Sequence, residues 1–192
     1  MSRLDLVAGP NGAGKSTFVQ HILAEQLPGS PFVDADEIAR RRWPDDPERH
    51  AYDAAQVAEA TRTALIERGE QFIAETVFSH PSKLALTDQA QAAGYFVALH
   101  VLMLPEDVAV ARVAARVERG GHSVPETKIR ARYSRLWALV AVAAAKVQSA
   151  DFWDNATLDG PELVAALANG QLLARPTWPS WVPDVLTGRW AA

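Results

Sequence analysis

A glycine, a lysine and a hydroxyl in immediate succession mark where phosphate chemistry is most legible in this chain. The stretch LVAGPNGAGKSTFV, residues 6–19, spaces Gly9, Gly14, Lys15 and Ser16 as Gly-x-x-x-x-Gly-Lys-Ser. This is the pattern in which successive backbone N–H groups cradle a polyphosphate between a strand and a helix. Gly12 and Gly14 permit backbone conformations that a Cβ would obstruct. Pro10, Asn11 and Ala13 complete the loop, and Thr17 supports the same turn. Lys15 is expected to reach the β- and γ-phosphates and Ser16 to ligate Mg²⁺, while the helix opening near Lys15 adds its positive N-terminal end. Residues 9–17 are therefore read as an ATP- or other NTP-binding segment.

Phosphate binding alone does not name a reaction. The next informative stretch is PFVDADEIARR, where two carboxylates, Asp34 and Asp36, follow a short apolar run. At i and i+2 of a strand they point the same way, so Asp34 is assigned to the metal environment and Asp36 to the base that takes a proton from an attacking hydroxyl. Capping of the helix that starts near Glu37 is the competing structural role for either residue. In FIAETVFSH, Glu75 lies inside an apolar run, where a carboxylate is costly unless it reaches a polar mouth. Glu75 is read as reaching the same cleft, to bind substrate hydroxyls or to order Mg²⁺ water; Thr76 is read as a substrate contact, and Ser79 and His80 could touch substrate or simply form the turn.

The basic complement comes later, in ARVAARVERGGHSVPETKIRARYSRL. Arg112, Arg116 and Arg119, at i, i+4 and i+7, share one helical face. Arg130, Arg132 and Arg135 follow on the next helix, and Gly120-Gly121-His122 forms the corner between them. The segment from about 112 to 135 reads as a lid that closes arginines over a transferring phosphoryl group. Arg116, Arg119 and Arg132 are the leading candidates, with His122 as a substrate contact; a solvated charged face is the alternative.

The elements that must position these groups alternate in type. Strand-like runs at residues 4–8, 32–35, 71–78 and 95–104 are separated by helical stretches, an alternation that argues a parallel sheet. Helices are expected at 15–26, from Pro47 behind an Asp46 cap toward Gly69, and after Pro81 up to Gly94. Further helices should span 105–119 and 125–147. A polar strand at 152–156 and a small helix at 161–168 come next. The tail RPTWPSWVPDVLTGRW holds three tryptophans and three prolines, and should form an irregular strap over about 171–192 whose tryptophans cover apolar surface at the sheet edge.

The 192 residues, 48% of them hydrophobic, suffice for one core, so a single domain over 1–192 is expected. With 23 acidic against 19 basic residues the chain has no general basic field, which counts against nucleic acid as partner. There is no cysteine, removing disulfides, thiolate metal sites and cysteine nucleophiles and fitting a reducing compartment. No apolar run approaches a membrane span and no leader pattern precedes the first strand, so a cytoplasmic protein is expected.

Taken together, GPNGAGKST, VDADEIA, AETVFSH, the arginine helix and RGGHSVPETKIRARYSR resemble the zeta toxin family of P-loop kinases, its short members in particular, over about residues 4–135. The resemblance implies a P-loop kinase fold, three-layer α/β/α with a mainly parallel five-stranded sheet and a helical arginine-bearing lid. It implies ATP or another NTP with Mg²⁺, phosphorylation of a nucleotide sugar such as UDP-N-acetylglucosamine, and an antitoxin protein as candidate partner. It puts the phosphate-binding lysine on Lys15, the base on Asp36 and a substrate-side acid on Glu75. The Asp-x-Asp stretch is similar to shikimate and gluconate kinases as well. The leading function is an ATP-dependent kinase of a small-molecule alcohol; the alternatives are a nucleotide-dependent switch without an acceptor and a polynucleotide kinase.

Overall fold

A computed structural model of the chain describes residues 2–121 and 123–191. Strand β1 (Arg3–Ala8) leads into the phosphate-loop motif and helix α1 (Lys15–Phe18), which continues through a π-helical turn at Val19–Leu23 into α2 (Ala24–Gln26). Strand β2 (Phe32–Val33), α3 (Ala35–Arg42), α4 (Ala51–Glu67), β3 (Phe72–Thr76), α5 (Ser82–Ala92) and β4 (Phe96–Met103) come after it. The chain goes on through α6 (Glu106–Glu118), α7 (Glu126–Ala144), β5 (Ser149–Asp154), β6 (Glu162–Ala168), β7 (Gln171–Leu172) and α8 (Asp184–Thr187).

The strands form one sheet in the order β2-β3-β1-β4-β5-β6-β7. The first five in that order pair in parallel, as the strand and helix alternation requires. Two antiparallel strands then extend it, so the five-stranded expectation describes the parallel part and the whole has seven. Alternate residues of the central strands face two apolar layers. Leu4, Leu6 and Leu99 meet residues of α4, α5 and α7; Val7 and Leu102 meet Phe18, Val19 and Val113 of the α1 and α6 side. This is the three-layer α/β/α arrangement.

Segment 161–168, expected as a helix, is strand β6 instead. Its Leu- and Ala-rich composition suits a helix, but β5 offers a free edge and β6 pairs with it from Ser149↔Ala168 to Asp154↔Glu162. The turn chemistry was visible: Asn169-Gly170 lies between β6 and β7, with φ of 49° and 77°, the positive pair that a tight two-residue hairpin demands. Residues 47–50, expected to open a helix, form turns; α4 begins at Ala51, and the Asp46 side chain instead accepts the Arg49 N–H at 3.2 Å.

One charge sits deep in the sheet. Asp5 is fully buried on β1, with Arg3 donating to it at 2.7 and 2.8 Å and the His100 ring 2.9 Å away. Burial pushes its carboxyl up, but those bonds outweigh burial and hold it below its ordinary value.

The strap is irregular apart from α8, and its tryptophans pack on the sheet. Trp190 is buried, Trp178 and Trp181 are partly buried against the same cluster, and Phe152 of β5 contacts the rings of Trp178 and Trp190. The Trp190 indole donates to the Gly170 carbonyl at 3.0 Å and Trp178 to that of Trp190 at 3.1 Å. Trp190→Ala should therefore destabilise the protein by about 3–5 kcal/mol, while leaving nucleotide affinity, set at the opposite end of β1, unchanged. Urea denaturation with a parallel nucleotide titration checks this; a cost below about 1 kcal/mol would mean that the strap merely rests on the sheet.

Candidate active site

The carboxyl ends of β1, β2 and β3 open onto a cleft of about 500 Å³, the edge at which open α/β sheets receive ligands. The phosphate loop forms one wall. Its close fit begins at Gly9, where a Cβ would run into the carbonyl oxygen of Leu102. At its far end the Asn155 amide donates to the Ala13 carbonyl at 2.8 Å, while the Asn155 N–H donates to Met103 at 2.8 Å. Sequence reading missed Asn155, because a lone asparagine after a polar strand looks like ordinary turn chemistry.

Lys15 is only 6% exposed. Its ammonium donates to the Pro10 carbonyl at 3.0 Å and lies 3.8 Å from Glu75. Ser16 donates to the other Glu75 oxygen at 2.8 Å. Register explains the meeting, since Val7, just before the loop, is paired with Glu75. The expected substrate-side acid thus contacts the phosphate loop itself while still lining the cleft, and Thr76 lines it one residue on.

The two aspartates do not share a strand, because β2 ends at Val33. Asp34 is the N-cap of α3 and accepts the N–H groups of Asp36 and Glu37 at 3.1 and 3.2 Å. Asp36 lies in the first helical turn. Both still line the cleft, so capping and cleft placement coexist in Asp34. Burial, then the charges of Glu75 and Asp36, push the Asp34 carboxyl up to about 6.

The arginines divide. Arg116 and Arg132 line the cleft, and burial holds Arg132 below its ordinary value while Asp36 opposes the shift. Arg119 caps the end of α6, is exposed, and is not among the cleft residues. Arg112, one turn before Arg116, turns away and donates to the carbonyls of Ala156 and Thr157 at 3.1 and 2.9 Å. A second hollow of about 360 Å³ lies there, beside Thr17, His21, Ile22, Arg112 and Leu158. Arg130 pairs with Glu126 and Asp107 on the surface. His122 lies outside the described residues. Ser123 and Glu48 both line the cleft, and the Ser123 N–H donates to Glu48 at 3.0 Å. The cleft also holds Arg40, Arg62, Lys83 and Lys128, which sequence reading passed over. Arg62 left a signal, an arginine on the stripe of Ala54, Ala58 and Leu65, all buried positions of α4.

A family model for an AAA domain, AAA_33, matches residues 4–138 of this chain. The chain belongs to that AAA domain family. The matched span of the AAA domain runs from β1 into α7 and so includes both walls of the cleft. Among curated proteins, the chain is 29% identical over 126 residues to an uncharacterized protein of Haemophilus influenzae, covering 65% of this chain and 88% of the relative.

Solved structures share the fold of this AAA domain. The AvrRxo1-ORF1:AvrRxo1-ORF2 structure with ATP matches with a TM-score of 0.70 at 13% identity, over 90% of this chain. This chain spans 60% of that one. A chain of the PezAT chromosomal toxin-antitoxin system of Streptococcus pneumoniae matches with 0.66 at 15% identity, over 99% of this chain and 78% of that one. Shikimate kinase from Acinetobacter baumannii, solved with shikimate, matches with 0.53 at 21% identity, over 83% and 86%. The fold is thus the P-loop kinase fold. No helix among the described residues is long and apolar enough to cross a membrane.

The raised Asp34 pKa fixes the sign of a pH effect. Its folded value exceeds the unfolded one, so the folded state holds the proton more tightly, and stability from this residue is lost as pH rises from about 4 to about 6. Asp34→Asn keeps a capping oxygen and removes that loss. The variant should gain about 3 kcal/mol over wild type at pH 7.5, with the gain shrinking toward zero at pH 4. Urea denaturation at both pH values checks this, and a gain independent of pH would contradict it.

Proposed function

We propose that this AAA domain is an ATP-dependent kinase that transfers the γ-phosphate to a hydroxyl of a small-molecule acceptor, with residues 1–192 working as one unit. The observation that carries the reading is the meeting, in one cleft, of the phosphate loop with a carboxylate able to act as base and two further arginines: Lys15, Asp36, Arg116 and Arg132 all line it. A nucleotide switch has no need of a base beside an open acceptor space. That one structure sharing the fold was solved with ATP and another, a shikimate kinase, with shikimate supports a reading with a nucleotide donor and a small-molecule acceptor.

The proposed roles come from placement. Backbone N–H groups of the loop and Lys15 hold the β- and γ-phosphates. The nucleobase lies in the hollow between Ile22, Leu158 and Arg112, where apolar side chains and a guanidinium plane suit an aromatic ring. Asp36 accepts the proton of the acceptor hydroxyl as its oxygen attacks the γ-phosphorus and the bond to the β-phosphate oxygen breaks, releasing ADP. Arg116 and Arg132 meet the negative charge that spreads over the transferring oxygens.

The donors around Ser16 suit Mg²⁺. Ser16, Glu75 and Asp34 supply hard oxygen atoms, and Ser16 and Glu75 are already 2.8 Å apart. Among the described residues no three His, Asp or Glu side chains are grouped to hold a metal by themselves, so the cation would complete its shell with water and phosphate. When bound, it would neutralise charge on the β- and γ-phosphates. A nucleotide sugar such as UDP-N-acetylglucosamine is one candidate acceptor. The likeness to the PezAT chain, from a toxin-antitoxin system, adds an antitoxin protein as a candidate partner.

Transfer of ³²P from labelled ATP to pooled metabolites, resolved by chromatography, tests the reading. Wild type should give a labelled product, Lys15→Ala none, and Asp36→Asn about 10²- to 10⁴-fold less with ATP affinity retained. Release of inorganic phosphate as sole product, unaffected by Asp36→Asn, would identify an ATPase and overturn the proposal.

A further inference from the structure

Arg62 is out of place by every ordinary rule of helix burial. It is 6% exposed on α4, in line with Ala54 and Ala58, yet its side chain lines the cleft. Among the described residues its guanidinium has no hydrogen bond or ion pair. Lys83, half-buried near the start of α5, lines the same cleft; burial and then the Arg62 charge hold the lysine below its ordinary value. The acids that act on the pair are Glu59, exposed on α4, and Asp34, which the α3 cap already engages. Neither closes an ion pair with it.

Two cations brought together in a sheltered wall, with no acid in contact, repel each other and lose hydration. An arrangement of this kind is stable in use only when an anion fills it, and a buried, preformed guanidinium is the side chain best shaped to take a carboxylate or phosphate through two parallel N–H donors. The nucleotide's phosphates are met elsewhere. Lys15 belongs to the loop, and Arg132 enters the cleft from α7. Arg62 and Lys83 come from α4 and α5, and the same cleft carries Thr76, Ser79 and His80 as further polar groups.

We propose that Arg62 and Lys83 form a subsite for an anionic group, a carboxylate or a phosphate, carried by the acceptor molecule apart from the hydroxyl that is phosphorylated. The inference rests on the kinase reading and narrows it: the acceptor is an anionic alcohol, anchored by its charge so that its hydroxyl is presented to Asp36. Neutral sugars and nucleosides would lack the anchor.

The test fills the phosphate loop first. Protein saturated with Mg²⁺ and a non-hydrolysable ATP analogue is titrated by calorimetry with inorganic phosphate and, separately, with malate. Each complex should bind one further anion, and the tighter of the two tells phosphate ester from carboxylate as the natural group. Lys83→Gln and Arg62→Gln should each weaken that second event by about tenfold or more, and Arg62→Lys by less. Acylation of the Lys83 amine should also slow when the anion is bound, because the anion favours the charged, unreactive form. If Arg62→Gln does not fold, Lys83→Gln with an unchanged melting temperature decides alone. Failure of the analogue itself to bind would overturn the kinase reading. Analogue binding with no second anion, or with one that Lys83→Gln leaves unchanged, would overturn this subsite and leave the kinase reading standing.

Discussion

The hydrogen bond from the Asn155 amide to the Ala13 carbonyl joins residues 142 apart in the chain, and much of the site depends on it. A phosphate loop must present its N–H groups inward, which leaves its carbonyls facing away and in need of partners. Asn155 supplies one from the end of β5, and the Leu102 backbone packs so closely against Gly9 that no side chain fits there. The loop is thus held from behind by the two strands on one side of β1. With that side fixed, the opposite side of β1, where β3 brings Glu75 beside Val7, can be given over to chemistry.

Electrostatics dominates that open side. The cleft gathers Asp34, Asp36 and Glu75 with Lys15, Arg62 and Arg132, and few of these charges are neutralised by direct contact. Asp34, buried and then crowded by Glu75 and Asp36, holds its proton more tightly. Lys83 answers by holding its proton less tightly. Such opposed shifts are typical of places where structure serves binding at some cost to stability. The pair of buried Asp5 and partly exposed Arg3 in β1 is the contrast, since there each charge has its partner and the shift favours folding.

Parts of this were legible in the sequence for physical reasons. The phosphate loop announces itself because backbone geometry there tolerates few residue types, and the parallel core because buried strands read as unbroken apolar runs. The arginine helix was legible only as a face: Arg112 and Arg116, one turn apart on it, line different hollows. Strand β6 was hidden because alanine and leucine carry no strand signal of their own, and only the free edge of β5 decides. Arg62 was hidden because its meaning lies in Lys83, which reaches it from another helix.

The strap has a consequence for how the chain comes into being. The parallel strands β1 to β5 are synthesised before β6 and β7, and the indole that closes over Gly170 belongs to Trp190, 20 residues further along the chain. Until it emerges from the ribosome, the face of Phe152 that Trp178 and Trp190 later cover stays open to water, and so does the outer edge of the sheet. A nascent chain stalled in that interval presents an apolar face beside unpaired backbone groups, the combination that aggregation and chaperones both recognise. The tryptophans of the strap thus govern the most vulnerable moment in the life of the protein.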